Sequence, residues 1–138
     1  DTNGTNPAML QQLIINGSLD YVAMDIKAPL DYRKYLRACG KLTTEEFFNV
    51  RSSIRLLMEA PIKVEFRTTV VPVLHPPEEI EEIARYIQGA SLYSLQQFNP
   101  SATLDTDYGA VVPYTRQEMQ ELADRCAPYV QTIRVVNI

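Results

Sequence analysis

The chain has only two cysteines, Cys39 and Cys126, and they stand far apart with no C-x-x-C pairing. That excludes a disulfide scaffold and a complete thiolate metal site, and both thiols are expected to be reduced. No apolar run approaches the ~20 residues that a bilayer span requires, and no basic start followed by an apolar stretch marks a secretory signal. The cytoplasm is therefore the expected compartment, with no membrane contact. Positive charge is also scarce. Thirteen Lys and Arg face seventeen Asp and Glu, for a net charge of −4, and the basic residues are scattered. This leaves no electrostatic footprint for nucleic acid. There is a single histidine, His75, placed before a Pro-Pro pair where a loop histidine is more often incidental than catalytic. Neither an internal repeat nor a low-complexity tract is visible.

What remains is an ordinary globular composition, 46% hydrophobic and 22% charged over 138 residues, enough for one core and one domain over residues 1–138. The opening stretch, DTNGTNP, is turn chemistry followed by an N-cap asparagine and a proline suited to the first helical position. Such a stretch normally follows a strand, so the chain is expected to be a piece of something longer. Asn6-Pro7 starts a first helix with Leu10, Leu13 and Ile14 on one stripe and Gly17 at its close. The capping box Thr43-x-x-Glu46 starts a second, carrying Phe47, Val50, Ile54, Leu57 and Met58 toward Pro61. A third begins near Pro76-Pro77, with Glu78 and Glu79 in its first turn, Ile80, Ile83, Ala84 and Ile87 as its apolar side, and Gly89 as its end. A fourth follows the box Thr115-x-x-Glu118 and packs Met119, Leu122, Ala123 and Cys126.

Between the helices lie strand candidates at 21–27 (YVAMDIK), 62–73, 91–98 and 130–136 (VQTIRVV). Alternating strands and helices predict an α/β fold with parallel strands and outer helices, an open sheet or barrel. The strands alternate in character. Val22, Met24 and Ile26 oppose Ala23, Asp25 and Lys27, and Val64, Phe66 and Val70 oppose Lys63, Glu65, Arg67 and Thr69. One face suits helices, and the other is expected to become charged toward the strands' C-terminal ends, which fits a wide or incomplete barrel better than a closed one packed with Val and Leu. Ligands bind at the carboxyl ends of such strands. Asp1, Asp25, Lys27, Arg67, Thr69, Gln96, Gln97 and Asn99 thus converge on one rim that could hold a zwitterion and a nucleoside, Lys27 or Arg67 taking a carboxylate. The plainer alternative is that Asp25 and Lys27, about 6.6 Å apart along the strand, only pair with each other. In the long connection 99–114, Tyr108 and Tyr114 could stack on a substrate or merely cover a core edge, and Phe98 flanks Gln97 and Asn99.

DTNGTNP, DYVAMDIKAPL, VEFRTTVVPVLH and LQQFNP together resemble radical S-adenosylmethionine (SAM) activating enzymes. The likeness is to the anaerobic ribonucleoside-triphosphate reductase activating proteins, with pyruvate formate-lyase activating enzymes as relatives, and it runs from residue 1 to about residue 130. The resemblance implies the later half of a partial (β/α)6 TIM-like barrel, beginning at the end of its third strand. It also implies SAM and a [4Fe–4S] cluster as cofactors, and an anaerobic glycyl radical enzyme as partner. Asp1, Asp25 and Lys27 would surround the methionine end of SAM with Thr2 and Asn3 of the same loop, and a monovalent cation could sit between Asp1 and Asp25. Arg67 and Thr69 would lie near ribose and adenine, and Gln97, Phe98 and Asn99 at the adenine edge or substrate side. The chain departs from the pattern in two ways. The three-cysteine cluster motif and the glycine-rich loop that precede DTNG in the family are not in these residues, and Asn99 stands where related activases can carry a histidine. The chain alone is therefore expected to hold no cluster, to supply binding groups and no catalytic residue, and to be inactive without the rest of the enzyme. The edge of YVAMDIK, left open, would invite self-association unless VQTIRVV folds back over it. A noncatalytic nucleotide- or peptide-binding module, and a structural fragment that docks a partner subunit, remain open. A three-cysteine motif upstream would favour the enzyme, and a start codon just before Asp1 either alternative.

Overall fold

The computed structural model describes residues 1–99 and 111–137. Helix α1 (Pro7–Ile15) is capped by Asn6, whose side chain accepts the Met9 N–H, and strand β1 (Tyr21–Asp25) follows. Next come α2 (Tyr32–Cys39), α3 (Thr44–Glu59) and β2 (Lys63–Val70), then α4 (Pro77–Tyr86), β3 (Leu92–Gln97), α5 (Arg116–Cys126) and β4 (Thr132–Val136). Both capping boxes form. Thr43 and Glu46 exchange hydrogen bonds at the start of α3, and Thr115 and Glu118 do the same at α5, satisfying donors that a helix start leaves orphaned. Helix α2 is absent from the sequence reading. Its run YRKYLRAC is rich in basic residues and buries only Tyr35, so it carries little periodic apolar signal, although Asp31 caps its start and Gly40 closes it at φ +80°.

The four strands are parallel in the order β1-β2-β3-β4, each neighbour in space being the next in sequence. Same-sense crossovers between sequential parallel strands place the described helices on one face. The core lies between that face and the helices. Val22, Met24, Ile26, Phe66, Tyr93 and Leu95 meet side chains of all five helices there. Of the expected helix stripes, Leu10, Phe47, Val50, Ile54, Leu57, Ile80, Ile83, Met119 and Leu122 are buried, but Met58 is exposed and Leu13 and Ile14 are only half-buried. Buried polar groups on this side are satisfied within it, since the Thr68 hydroxyl is 2.7 Å from the Ile26 carbonyl and 2.6 Å from the Tyr93 hydroxyl.

The other face is polar, but its charge is not confined to the C-terminal rim, as the alternation had predicted. Glu65 sits mid-sheet and is buried, 3% exposed, accepting hydrogen bonds from the Tyr21 hydroxyl, from Ser94 Oγ at 2.5 Å and from Arg134 at 2.7 Å. Burial pushes its carboxyl up, but these three donors together outweigh that and hold it at about 2. Beside β1, on the side away from β2, residues 1–3 run parallel to it. The Thr2 N–H donates to the Ala23 carbonyl (2.9 Å) and the Asp25 N–H to the Thr2 carbonyl (3.0 Å). The segment VQTIRVV does not cover that edge, because β4 pairs with β3 at the opposite side of the sheet. Among the described residues no helix is long and apolar enough to cross a membrane.

Candidate functional site

The DTNGTNP loop is built from its own side chains. Thr2 Oγ1 accepts the Gly4 N–H, and Asn3 Oδ1 accepts both the Thr5 N–H and its hydroxyl. Asn49 and Ser53 of α3 then donate to the Thr5 and Gly4 carbonyls. This holds Asp1 beside the end of β1. Register places Asp25 opposite Arg67, and Arg67 opposite Ser94. The Arg67 guanidinium reaches both acids, with one terminal nitrogen 2.5 Å from Asp1 Oδ2 and Nε 3.7 Å from Asp25 Oδ1. The positive charge between the two aspartates is therefore that of Arg67. Its Nε is shielded from solvent yet has no hydrogen-bond partner among the described residues. A donor left in that state marks a place where a further acceptor would be favourable.

Lys27, two residues beyond Asp25, does not pair with it. Its ammonium is exposed and enters no ion pair or side-chain hydrogen bond among the described residues. The simple Asp25–Lys27 pair is thereby replaced, because Asp25 faces its in-register neighbour Arg67. Lys27 lines a cleft at the strand ends together with Asp25, Thr69, Leu74 and His75, and also a second cavity with Asn3, Thr5 and Cys39, whose thiol feels its charge. Thr69 is exposed on the same sheet face as Arg67, opposite Gln96. Gln97 is not brought to that face. It pairs with Val70 on the helix side, and its amide donates to the Tyr114 carbonyl at 2.6 Å, tying together the two ends of the connection 98–114. Phe98 is buried and Asn99 exposed. Tyr108 lies outside the described residues.

His75 carries more structure than its sequence context indicated. The ring is 3% exposed; Nδ1 accepts the Val71 N–H at 2.9 Å, and Nε2 lies 2.7 Å from the Lys27 carbonyl. Burial lowers its pKa and favours the neutral ring, although the Lys27 carbonyl and the nearby Glu79 carboxylate pull the other way. Glu65, Arg134, Tyr21 and Tyr35 were not singled out by the sequence. For Arg134 the only available signal is its alternation within TIRVV, which puts it on the polar face.

The cysteines do not make a cluster cradle. Cys126 is buried, points its thiol at the Ile80 carbonyl and is pushed up by burial to about 12, and Cys39 is half-buried and also raised. Neither is poised as the thiolate that iron ligation needs.

No protein-family model matches the chain. Over 99% of its length it is 34% identical to a protein of Methanocaldococcus jannaschii whose name gives it as a glycyl-radical enzyme activating enzyme. The chain spans 58% of the length of that relative. A crystal structure of a domain of pyruvate-formate lyase-activating enzyme from Bacteroides vulgatus superposes with a TM-score of 0.66 at 13% identity, covering 96% of this chain and 78% of that one. The chain thus shares the α/β fold of that domain, and its sequence is similar to that of the archaeal protein along almost its whole length.

Proposed function

We propose that the chain is the SAM- and substrate-side portion of a radical SAM activating enzyme, one that generates a glycyl radical on an anaerobic ribonucleotide reductase. The observation that carries this reading is the charge arrangement on the rim. Arg67 offsets one of the two carboxylate charges of Asp1 and Asp25, and among the described residues the Lys27 ammonium has no ion-pair partner beside the cleft at the carboxyl ends of β1 and β2. An exposed cation beside paired acids suits a ligand that bears both a carboxylate and an ammonium group, as the methionine end of SAM does. The archaeal relative supports the activating-enzyme assignment through its name.

When bound, SAM and a reduced iron–sulfur cluster supply the radical chemistry. The residues here bind and orient. Lys27 takes the carboxylate; Asp1 and Asp25, with Thr2 and Asn3 of the same loop, face the methionine ammonium; Arg67 and Thr69 reach the ribose and adenine; and Phe98 and Asn99 border the substrate side. A monovalent cation joining Asp1 and Asp25 to the ligand would require Arg67 to withdraw from between them. Cluster ligands come from another part of the polypeptide, and the working compartment is the cytoplasm.

The test is calorimetric titration of SAM into the full-length, cluster-loaded protein. Lys27→Met keeps the stem and removes a charge-assisted bond of roughly 1.5–3 kcal/mol, so affinity should fall about 10- to 150-fold with fold and cluster content retained. Unchanged affinity would remove this rim as the SAM site.

A further inference from the structure

Lys27 lies just past the last residue of β1, where the strand ladder no longer holds its peptide groups. Two buried side chains from other elements hold them instead. The Tyr35 hydroxyl, on α2, accepts the Lys27 N–H at 3.2 Å. His75, in the turn between β2 and α4, reaches the Lys27 carbonyl with Nε2 at 2.7 Å. Because Nδ1 accepts the Val71 N–H, the ring proton sits on Nε2, and His75 donates to that carbonyl. The ring is itself anchored, since the His75 N–H donates to the Val71 carbonyl and the His75 carbonyl accepts the Tyr114 hydroxyl at 3.0 Å.

Although the Lys27 side chain is exposed, its N–H and C=O bonds are part-buried, so each of these groups needs a partner there. Tyr35 and His75 are 2% and 3% exposed, and burying such polar side chains is unfavourable unless their bonds are made. Holding the peptide groups on both sides of one Cα fixes the direction of its Cα–Cβ bond. We infer that Tyr35 and His75 are positioning residues, a clasp that aims the Lys27 ammonium over the cleft between β1 and β2. This inference rests on the reading of Lys27 as a ligand-binding residue.

Two near-isosteric replacements separate the halves of the clasp. In His75→Asn the amide oxygen can take the place of Nδ1 and keep the Val71 bond, but nothing reaches Lys27. In His75→Gln the amide nitrogen can take the place of Nε2 and keep the Lys27 bond, while the Val71 bond is lost. With SAM titrated calorimetrically into the full-length, cluster-loaded protein, His75→Asn and Tyr35→Phe should each weaken binding roughly 3- to 10-fold, the range of one lost neutral hydrogen bond. His75→Gln should stay within about 2-fold of the parent even if its thermal midpoint falls as far as that of His75→Asn. In a Lys27→Met background, Tyr35→Phe should cost nothing further, because a clasp acts only through the residue it aims.

Equal losses in His75→Asn and His75→Gln, or full additivity of Tyr35→Phe with Lys27→Met, would overturn the clasp. So would parent-like affinity in Tyr35→Phe, which decides the matter alone if His75→Asn does not fold. Failure of the underlying reading looks different: Lys27→Met itself then leaves affinity unchanged.

Discussion

At Gly4 the backbone has φ +80°, and a Cβ built there would lie 2.2 Å from Met24 Cε and 3.4 Å from Ser53 Cβ. The atom met is the far end of the flexible Met24 side chain, so although Met24 is buried its terminal methyl can shift aside. The left-handed conformation therefore requires glycine, and Gly4→Ala should destabilise the fold by about 1–3 kcal/mol through backbone strain. Denaturant unfolding would show this as a lower midpoint at unchanged slope, and a shift under about 0.5 kcal/mol would mean that the loop re-forms around the methyl. The same loop holds Asp1, so the predicted cost is one of site geometry as well as stability. Residue identity made some of this readable. Asn3-Gly4 and Asn6-Pro7 announce a turn and a helix start because their side chains satisfy the local backbone. The partners of Asp25 and His75 could not be read in the same way. They depend on strand register and on a contact between loops 48 residues apart, neither of which leaves a local trace.

Among the elements, the four strands are joined through one carboxylate. Glu65 on β2 is bound by Tyr21 of β1, Ser94 of β3 and Arg134 of β4, and Arg134 Nε also donates to Ser94 at 2.9 Å. Alternation along the strand put Glu65 on the polar face, but only the packing of four strands reveals that it is buried there. Capping boxes and period-2 strands were legible for the same reason that α2 was not. Thr43, Glu46, Thr115 and Glu118 act within one turn of their own helix, whereas α2 is held mainly by Tyr35 reaching the core. The Glu65 network has a pH signature. Its carboxyl lies at about 2 in the fold against an ordinary 4.5, so its contribution is complete above about 4.5 and is lost as pH falls toward 2. Arg134→Met removes a donor that holds this carboxyl down. At neutral pH it should cost about 1–3 kcal/mol, less than a fully buried pair because half of the Arg134 side chain faces solvent. The gap between variant and parent should narrow as pH falls from about 4.5 toward 2, where the parent's carboxylate begins to be protonated in the fold. Denaturant midpoints at neutral pH and near pH 2.5 check this, and a gap that stays the same in acid would show that Arg134 contributes by packing alone.

For the molecule as a whole, the two sides of the sheet are unequally protected. Among the described residues five helices cover one face, while the edge of β1 away from β2 is paired only where Thr2 exchanges hydrogen bonds with Ala23 and Asp25. Next to that edge runs an apolar groove lined by Met9, Leu10, Leu13, Leu19, Tyr21 and Val22, and Met9 and Tyr21 are 53% and 47% exposed. An open strand edge flanked by apolar side chains is a template for pairing with another chain. A net charge of −4 is too small to oppose such contact strongly. The isolated chain of residues 1–138 should therefore self-associate, its mean mass in sedimentation rising with concentration. Leu13→Glu combined with Met9→Glu places two charges in the groove at positions that are not fully buried, so the fold should survive while association weakens at least about 10-fold, the effect of ~1.4 kcal/mol. If the groove drives association, the double variant stays monomeric and its helix content is unchanged. If the parent itself sediments as a single monomer mass across the whole range, the Thr2 bridge suffices to close the edge, and the groove has no partner in this chain.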